Sequence, residues 1–208
     1  MNSANNNDAD DARSQVSREA AILLYFGAEK EYKQAKFRAA KTLGVHFLPT
    51  NLEIALELDK IAEEKEGPAR KERLILMRQE AFKIMKLLDA YDPLLIGSVW
   101  RGTARLGSDI DIAAYADTPE QVLEFLKNSC IKIQQTYWTK VNKQGVTFLS
   151  YHVLAETRTK ISIDLVVRNP EEAVRKRKCD IFGDEIKGLR TLKLEKLLKE
   201  NPTRQFLP

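Results

Sequence analysis

Three aspartates and one Gly-Ser pair carry most of the chemical content of this 208-residue chain. Asp109 and Asp111 flank Ile110 in the run Ser108-Asp109-Ile110-Asp111-Ile112. A strand alternates its side chains between faces, so both carboxylates share one face while Ile110 and Ile112 take the other. Two carboxylates ~7 Å apart on one face repel each other unless a cation lies between them. Hard divalent cations with oxygen ligands, Mg²⁺ foremost, answer that repulsion. A third acid, Asp164, stands in Lys160-Ile161-Ser162-Ile163-Asp164-Leu165-Val166-Val167, opposite the apolar alternation of Ile161, Ile163, Leu165 and Val167. If the two strands are neighbours, the three acids can hold two metal ions ~3.5–4 Å apart for an in-line displacement at phosphorus. The bland alternatives are an exposed strand edge for the first pair and, for Asp164, a salt bridge to Lys160 or Arg168.

Upstream, Gly97-Ser98 follows a short apolar strand and opens a helical turn. Backbone N–H groups at such a turn favour a phosphate. Gly97 has no Cβ to obstruct it, and the Ser98 hydroxyl adds a donor. Arg101 is spaced to add a charge-assisted contact, although Arg101 and Arg105 also suit a solvated helix face. Gly97 and Gly102 have the glycine spacing of a P-loop, but Thr103 stands where that loop needs a lysine, which excludes it. Trp100, Tyr137, Trp138 and Tyr151 could stack on a base, yet packing on the core or the sheet is the commoner use of such residues. Arg175-Lys176-Arg177-Lys178 is the densest positive run. Preceded by Glu171 and Glu172, it reads as a helix with acids first and bases last. The histidines, His46 and His152, and the cysteines, Cys130 and Cys179, read as core or surface residues rather than ligands.

Taken together, Gly97-Ser98, Arg101-Gly102-Thr103, Ser108-Asp109-Ile110-Asp111 and the later Asp164 resemble the nucleotidyltransferase superfamily typified by DNA polymerase β. The resemblance runs from Leu94 to Val167. It implies a two-metal nucleotidyltransferase that moves a nucleoside monophosphate from an NTP, ATP included, to a hydroxyl and releases pyrophosphate. Asp109 and Asp111 would bind both Mg²⁺ ions, with Mn²⁺ as an alternative metal. Asp164 would ligate the ion that activates the acceptor hydroxyl, or take its proton. Gly97, Ser98, Arg101, Thr103 and Ser108 would form the nucleotide- and phosphate-binding set. The acceptors used in that superfamily include RNA 3′ ends, small molecules and protein side chains. A non-catalytic nucleotide- or RNA-binding protein and an antitoxin-type enzyme modifying a partner protein are the alternatives.

These residues need elements to position them. The expected fold class is α/β (α+β in stricter usage): a mixed sheet of about five strands with a polymerase-β-like core, preceded by helices. Apolar runs predict strands at Leu94–Ile96, Ile110–Tyr115, Ile131–Val141, Val146–Leu154 and Ile161–Val167. Gly145 suits a hairpin between the third and fourth of these. Helices are expected from Ser14 to Leu43, after Thr50 (with Glu53 completing a capping box), from Ala69 to Ala90 and after Thr118. From Pro170 onward the chain is expected to be helical again, broken at Gly183 and Gly188. The polar start, residues 1–13, reads as a disordered tail, residues 14–92 as a helical region, and 93–208 as the catalytic domain with C-terminal helices.

Composition limits the function classes. There are 34 Lys and Arg against 30 Asp and Glu, a net charge of +4, too even for a histone-like coat on a polyanion. Residues 1–90 sum to zero, so the whole excess lies in 91–208. Two cysteines without a CxxC, two histidines and no long apolar run point to a reduced cytoplasmic chain with no zinc site and no membrane partner.

Overall fold

The computed structural model describes residues 4–129, 131–143 and 146–208, and they form two compact units. Cys130, Gln144 and Gly145, including the expected hairpin glycine, lie outside the described residues. Among the described residues no helix is long and apolar enough to cross a membrane.

The first unit, residues 1–67 with 178–184, is helical: α1 (Ala4–Tyr25), α2 (Tyr32–Thr42) and α3 (Asn51–Glu66). Small side chains let these helices approach closely: Ala20 and Ala21 of α1 and Ala35 and Ala39 of α2 are fully buried. Ile54, Leu58 and Ile61 of α3 complete the core.

The expected helix from Ser14 to Leu43 is broken in two. Gly27 takes φ +70°, and the Glu29 N–H closes back on Leu23 O at 3.1 Å. The mixed periodicity of that stretch was two stripes, not one, and Phe26 and Phe37 from it are exposed. Leu56 is likewise exposed, one position off the buried stripe of α3. The stretch expected to be a disordered tail is helical from Ala4 onward. Extending a helix already anchored by packing adds a hydrogen bond per residue without a new nucleus. Val16 to Leu24 supply that anchor, and Arg13 reaches Glu53.

The capping box at the start of α3 is present, with the Thr50 hydroxyl accepting from Glu53 N at 3.2 Å and Glu53 accepting from Thr50 N at 2.6 Å. Desolvation opposes the ionised Glu53, but the Arg13 guanidinium and the bonds from Thr50 outweigh it and hold the carboxyl at about 2.

The second unit, residues 68–177 with 185–207, contains the sheet. The division falls at Gly67, not at Asp92 as expected, because α4 (Pro68–Leu87) packs into the sheet's core. Its stripe of Leu74, Met77, Ala81, Ile84 and Met85 is buried with Leu95, Ile110 and Ile112. After a 3₁₀ turn come β1 (Leu94–Ile96), α5 (Gly97–Arg101), β2 (Ile110–Tyr115), α6 (Pro119–Lys127), β3 (Lys132–Lys143), β4 (Val146–Glu156) and β5 (Ser162–Arg168). The chain ends with β6 (Leu189–Arg190) and α7 (Thr191–Glu200).

The sheet has six strands in the order β3-β4-β5-β2-β1-β6, and only β2 and β5 run parallel. The sixth strand, two residues long, is too short for any alternation to announce it. Of the helical end expected from Pro170, only the part beyond Gly188 forms, as α7: a 3₁₀ turn at Pro170–Glu172 is followed by irregular chain as far as β6. Four consecutive cations would crowd one helical turn. Instead Arg177 pairs with Glu172, and Lys176 lies 3.3 Å from Glu185.

The capping box gives the first prediction. Thr50→Ala should lower stability by about 1 kcal/mol in chemical denaturation, the usual effect of removing such a cap. Loss of stability on acidification, as pH falls from about 4.5 toward about 2, should shrink in Glu53→Gln, because the low native pKa of Glu53 places its contribution above that window.

Candidate active site

The parallel ladder between β2 and β5 sets Asp111 directly opposite Asp164. Asp109 precedes β2 by one residue, two positions before Asp111, and faces the same side. The register thus brings together the three acids singled out in the sequence. Burial pushes Asp111 up to about 7, with further contributions from the charges of Asp109 and then Asp164. Asp109 is also raised, by desolvation and then by Asp164, with Arg105 opposing.

Gly97 stands against this cluster. It takes φ +69°, and a Cβ added there would fall 1.9 Å from Asp111 Oδ2. Its neighbour Ile96 is the register partner of Asp111. The sequence suggested a glycine open to phosphate; the packing adds a second requirement, the close approach of the turn to the Asp111 carboxylate. Ser98, next in the chain, is half-buried, and its carbonyl accepts from Thr103 N at 3.0 Å. The Ser108 hydroxyl accepts from Arg105 N at 3.0 Å while Ser108 N donates back to Arg105 O, which closes the turn leading into β2. Ser108 therefore shapes the entry of the strand.

Arg101 differs from the expectation of a phosphate contact. It is 3% exposed; its guanidinium lies over the Trp100 ring, and Nη1 donates to Phe206 O at 3.1 Å. Trp100 is buried and stacks on Phe206, which fits its reading as a core residue.

The brace behind α5 was not anticipated. Arg78 of α4 is fully buried and donates to four carbonyls: Val99 and Trp100 of α5, and Pro202 and Arg204 of the segment after α7. Burial lowers its pKa only to about 10, so it stays a cation. The one sequence signal was its place on the α4 stripe, four residues after Leu74 and three before Ala81.

His152 was also missed. Its Nδ1 donates across both Asp164 oxygens at 2.9 and 3.1 Å, and its ring stacks on Tyr137 with centroids 5.0 Å apart. Desolvation and the charges of Asp164 and Asp109 raise the Tyr137 phenol. Trp138 and Tyr151 meet edge to face on the opposite side of the sheet. Trp138 lines a cavity of about 370 Å³ with Leu149, Arg168 and Arg175, among others, and with none of the three acids.

Three carboxylates on one face, two of them raised by burial and by the charge of their neighbours, suit a hard divalent cation. Among the described residues, however, no three His, Cys, Asp or Glu side chains form a ready-made metal cluster. Mg²⁺ would therefore have to draw the carboxylates inward.

No protein-family model matches the sequence, and no curated protein matches it. Among solved structures, a chain from a structure of a cytoplasmic RNA terminal U-transferase is similar at a TM-score of 0.29 and 17% identity, over 57% of this chain and 35% of that one. This chain spans about a third of that chain's length. Its chemistry has to be argued from its own residues.

The raised Asp111 makes a pH prediction. A carboxyl whose native pKa exceeds its unfolded value favours folding while protonated. Stability of the metal-free protein should therefore fall as pH rises from about 4 to about 7. The contribution is about 4 kcal/mol at most, at ~1.4 kcal/mol per unit. Asp111→Asn should flatten the curve and melt higher than the parent at pH 7.5; coincident melting profiles would exclude this account.

Proposed function

We propose that the chain is a divalent-metal-dependent nucleotidyltransferase of the polymerase-β type. It would transfer a nucleoside monophosphate from an NTP to an acceptor hydroxyl and release pyrophosphate. The observation that carries this reading is the pairing of Asp111 with Asp164 on parallel strands, with Asp109 on the same face and the Gly97 turn packed against Asp111.

Each residue has a task in that reaction. Asp109, Asp111 and Asp164 would hold two Mg²⁺ ions. The ions supply charge neutralisation at the phosphates and a lowered pKa for the acceptor hydroxyl. Asp164, across the strand pair from Asp111, is the acid on the acceptor side and receives the hydroxyl proton or passes it to solvent. The acceptor oxygen bonds to the α-phosphorus as the bond from that phosphorus to the bridging oxygen breaks, and pyrophosphate leaves. The Ser98 hydroxyl, the first N–H groups of α5 and Thr103 would bind the leaving phosphates. The protein contributes position and charge rather than a covalent intermediate. The acceptor is an RNA 3′ end, a protein side chain or a small molecule.

The test uses NTPs labelled at the α- or γ-phosphate, Mg²⁺, and total RNA or cell extract as acceptor. Transfer of α-label alone, abolished in Asp111→Asn, is the expected result. Tight NTP binding without α-transfer to any acceptor would instead identify a binding protein. Sensitivity of the product to ribonuclease or protease then names the acceptor class. Gly97→Ala should fold yet transfer at least about 100-fold more slowly, since a carboxylate displaced by an ångström loses that much. Transfer at the parental rate would disprove the role of the close contact.

A further inference from the structure

We infer that His152 is a positioning residue for the third carboxylate, holding the Asp164 side chain in place before any cation arrives; this rests on the function proposed above. His152 lies on β4, where its register partner on β5 is Val166, while Leu154 is the partner of Asp164. The imidazole therefore reaches diagonally along one face of the sheet to the acid. Nδ1 sits 2.9 Å from one Asp164 oxygen and 3.1 Å from the other. A donor shared between both oxygens ties the carboxylate group as a whole to β4 and opposes its swinging to another side-chain rotamer.

The ring itself is held on its other edge and on one face. Nε2 lies 3.1 Å from the Thr139 hydroxyl, and the ring is within 7° of parallel to Tyr137. With a proton assigned to Nδ1, the ring donates to Asp164, while Nε2 pairs with the Thr139 hydroxyl. Both side chains are mostly shielded, at 16% exposure for His152 and 19% for Asp164. Tyr137 and Thr139 on β3, His152 on β4 and Asp164 on β5 thus form a lateral chain across three strands, ending opposite Asp111 on β2. The donor occupies the side of the carboxylate between its two oxygens, which leaves the outer lone pairs for a cation. Hydrogen bonds of this kind to a ligating group are worth about 10–100-fold in metal affinity.

The test is Mn²⁺ binding, followed by the loss of the free-ion paramagnetic resonance signal, with no nucleotide or turnover required. The parent should bind Mn²⁺ at a site that Asp111→Asn abolishes. His152→Phe keeps the ring and its stacking on Tyr137 but removes the donor, and should bind about 10–100-fold more weakly. His152→Ala, which cannot clash, reads the same loss if the larger ring does not fold. His152→Asn places an N–H close to the position of Nδ1 and should recover most of the affinity. Absence of any Asp111-dependent Mn²⁺ binding in the parent would refute the proposed function itself. Asp111-dependent binding that the Phe and Ala variants match would overturn only the role of His152. Asn binding as weakly as Ala would reduce that role to packing.

Discussion

The parallel pairing of β2 with β5 is the constraint on which the rest of the site depends. Every other pairing in the sheet is antiparallel, the geometry a short connection can make, although β6 reaches β1 from far along the chain. Parallel neighbours need a long crossover, and here it contains α6, β3 and β4. That excursion brings Asp164 back beside Asp111, and it carries Tyr137, Thr139 and His152 to the same face on the way. The register is tightly specified. A slip of one residue would turn Asp164 into the core and expose Ile163 or Leu165, both nearly fully buried.

Placing acids together in this way works against the folded state unless something opposes their charge. Asp111 bears most of that opposition, being both the most enclosed of the three and flanked by the other two. Arg105 offsets part of the charge at Asp109, but two other nearby arginines are committed elsewhere. Arg101 is buried against Trp100 and Phe206, and Arg78 is surrounded by backbone carbonyls. Those two arginines stiffen α5 from behind and leave its glycine face to meet the carboxylates. The fixed charge of these two arginines therefore braces the scaffold behind the acids.

Much of this was legible in the sequence wherever one strand or one cap decides the outcome. β1 and β2 have the bounds that their apolar alternation gives, the Thr50–Glu53 cap forms, and the faces of Asp109, Asp111 and Asp164 follow from the period of two. Properties that depend on how elements meet were not legible. His152 gains meaning only from the diagonal between β4 and β5. Arg101 looked available because a short helix does not reveal which of its sides the later segment at Phe206 will cover. Gly27 divides a helix whose composition suits continuity, and Leu189-Arg190 is a strand only because β1 offers it an edge. Residues 173–188 contain helix-forming side chains that find acid partners more readily outside a helix.

The brace on α5 also has a consequence for the order of events in folding. Arg101 and Phe206 are 105 positions apart, and Arg78 joins carbonyls 124 and 126 positions downstream. Contacts of such separation form late, because loop closure opposes them until the rest of the unit is in place. The acids can assemble from β2 and β5 alone, but the turn against them is not held firm until the segment after α7 docks. An intermediate in which the sheet is complete and that segment is still free would carry the acid cluster beside a loose α5.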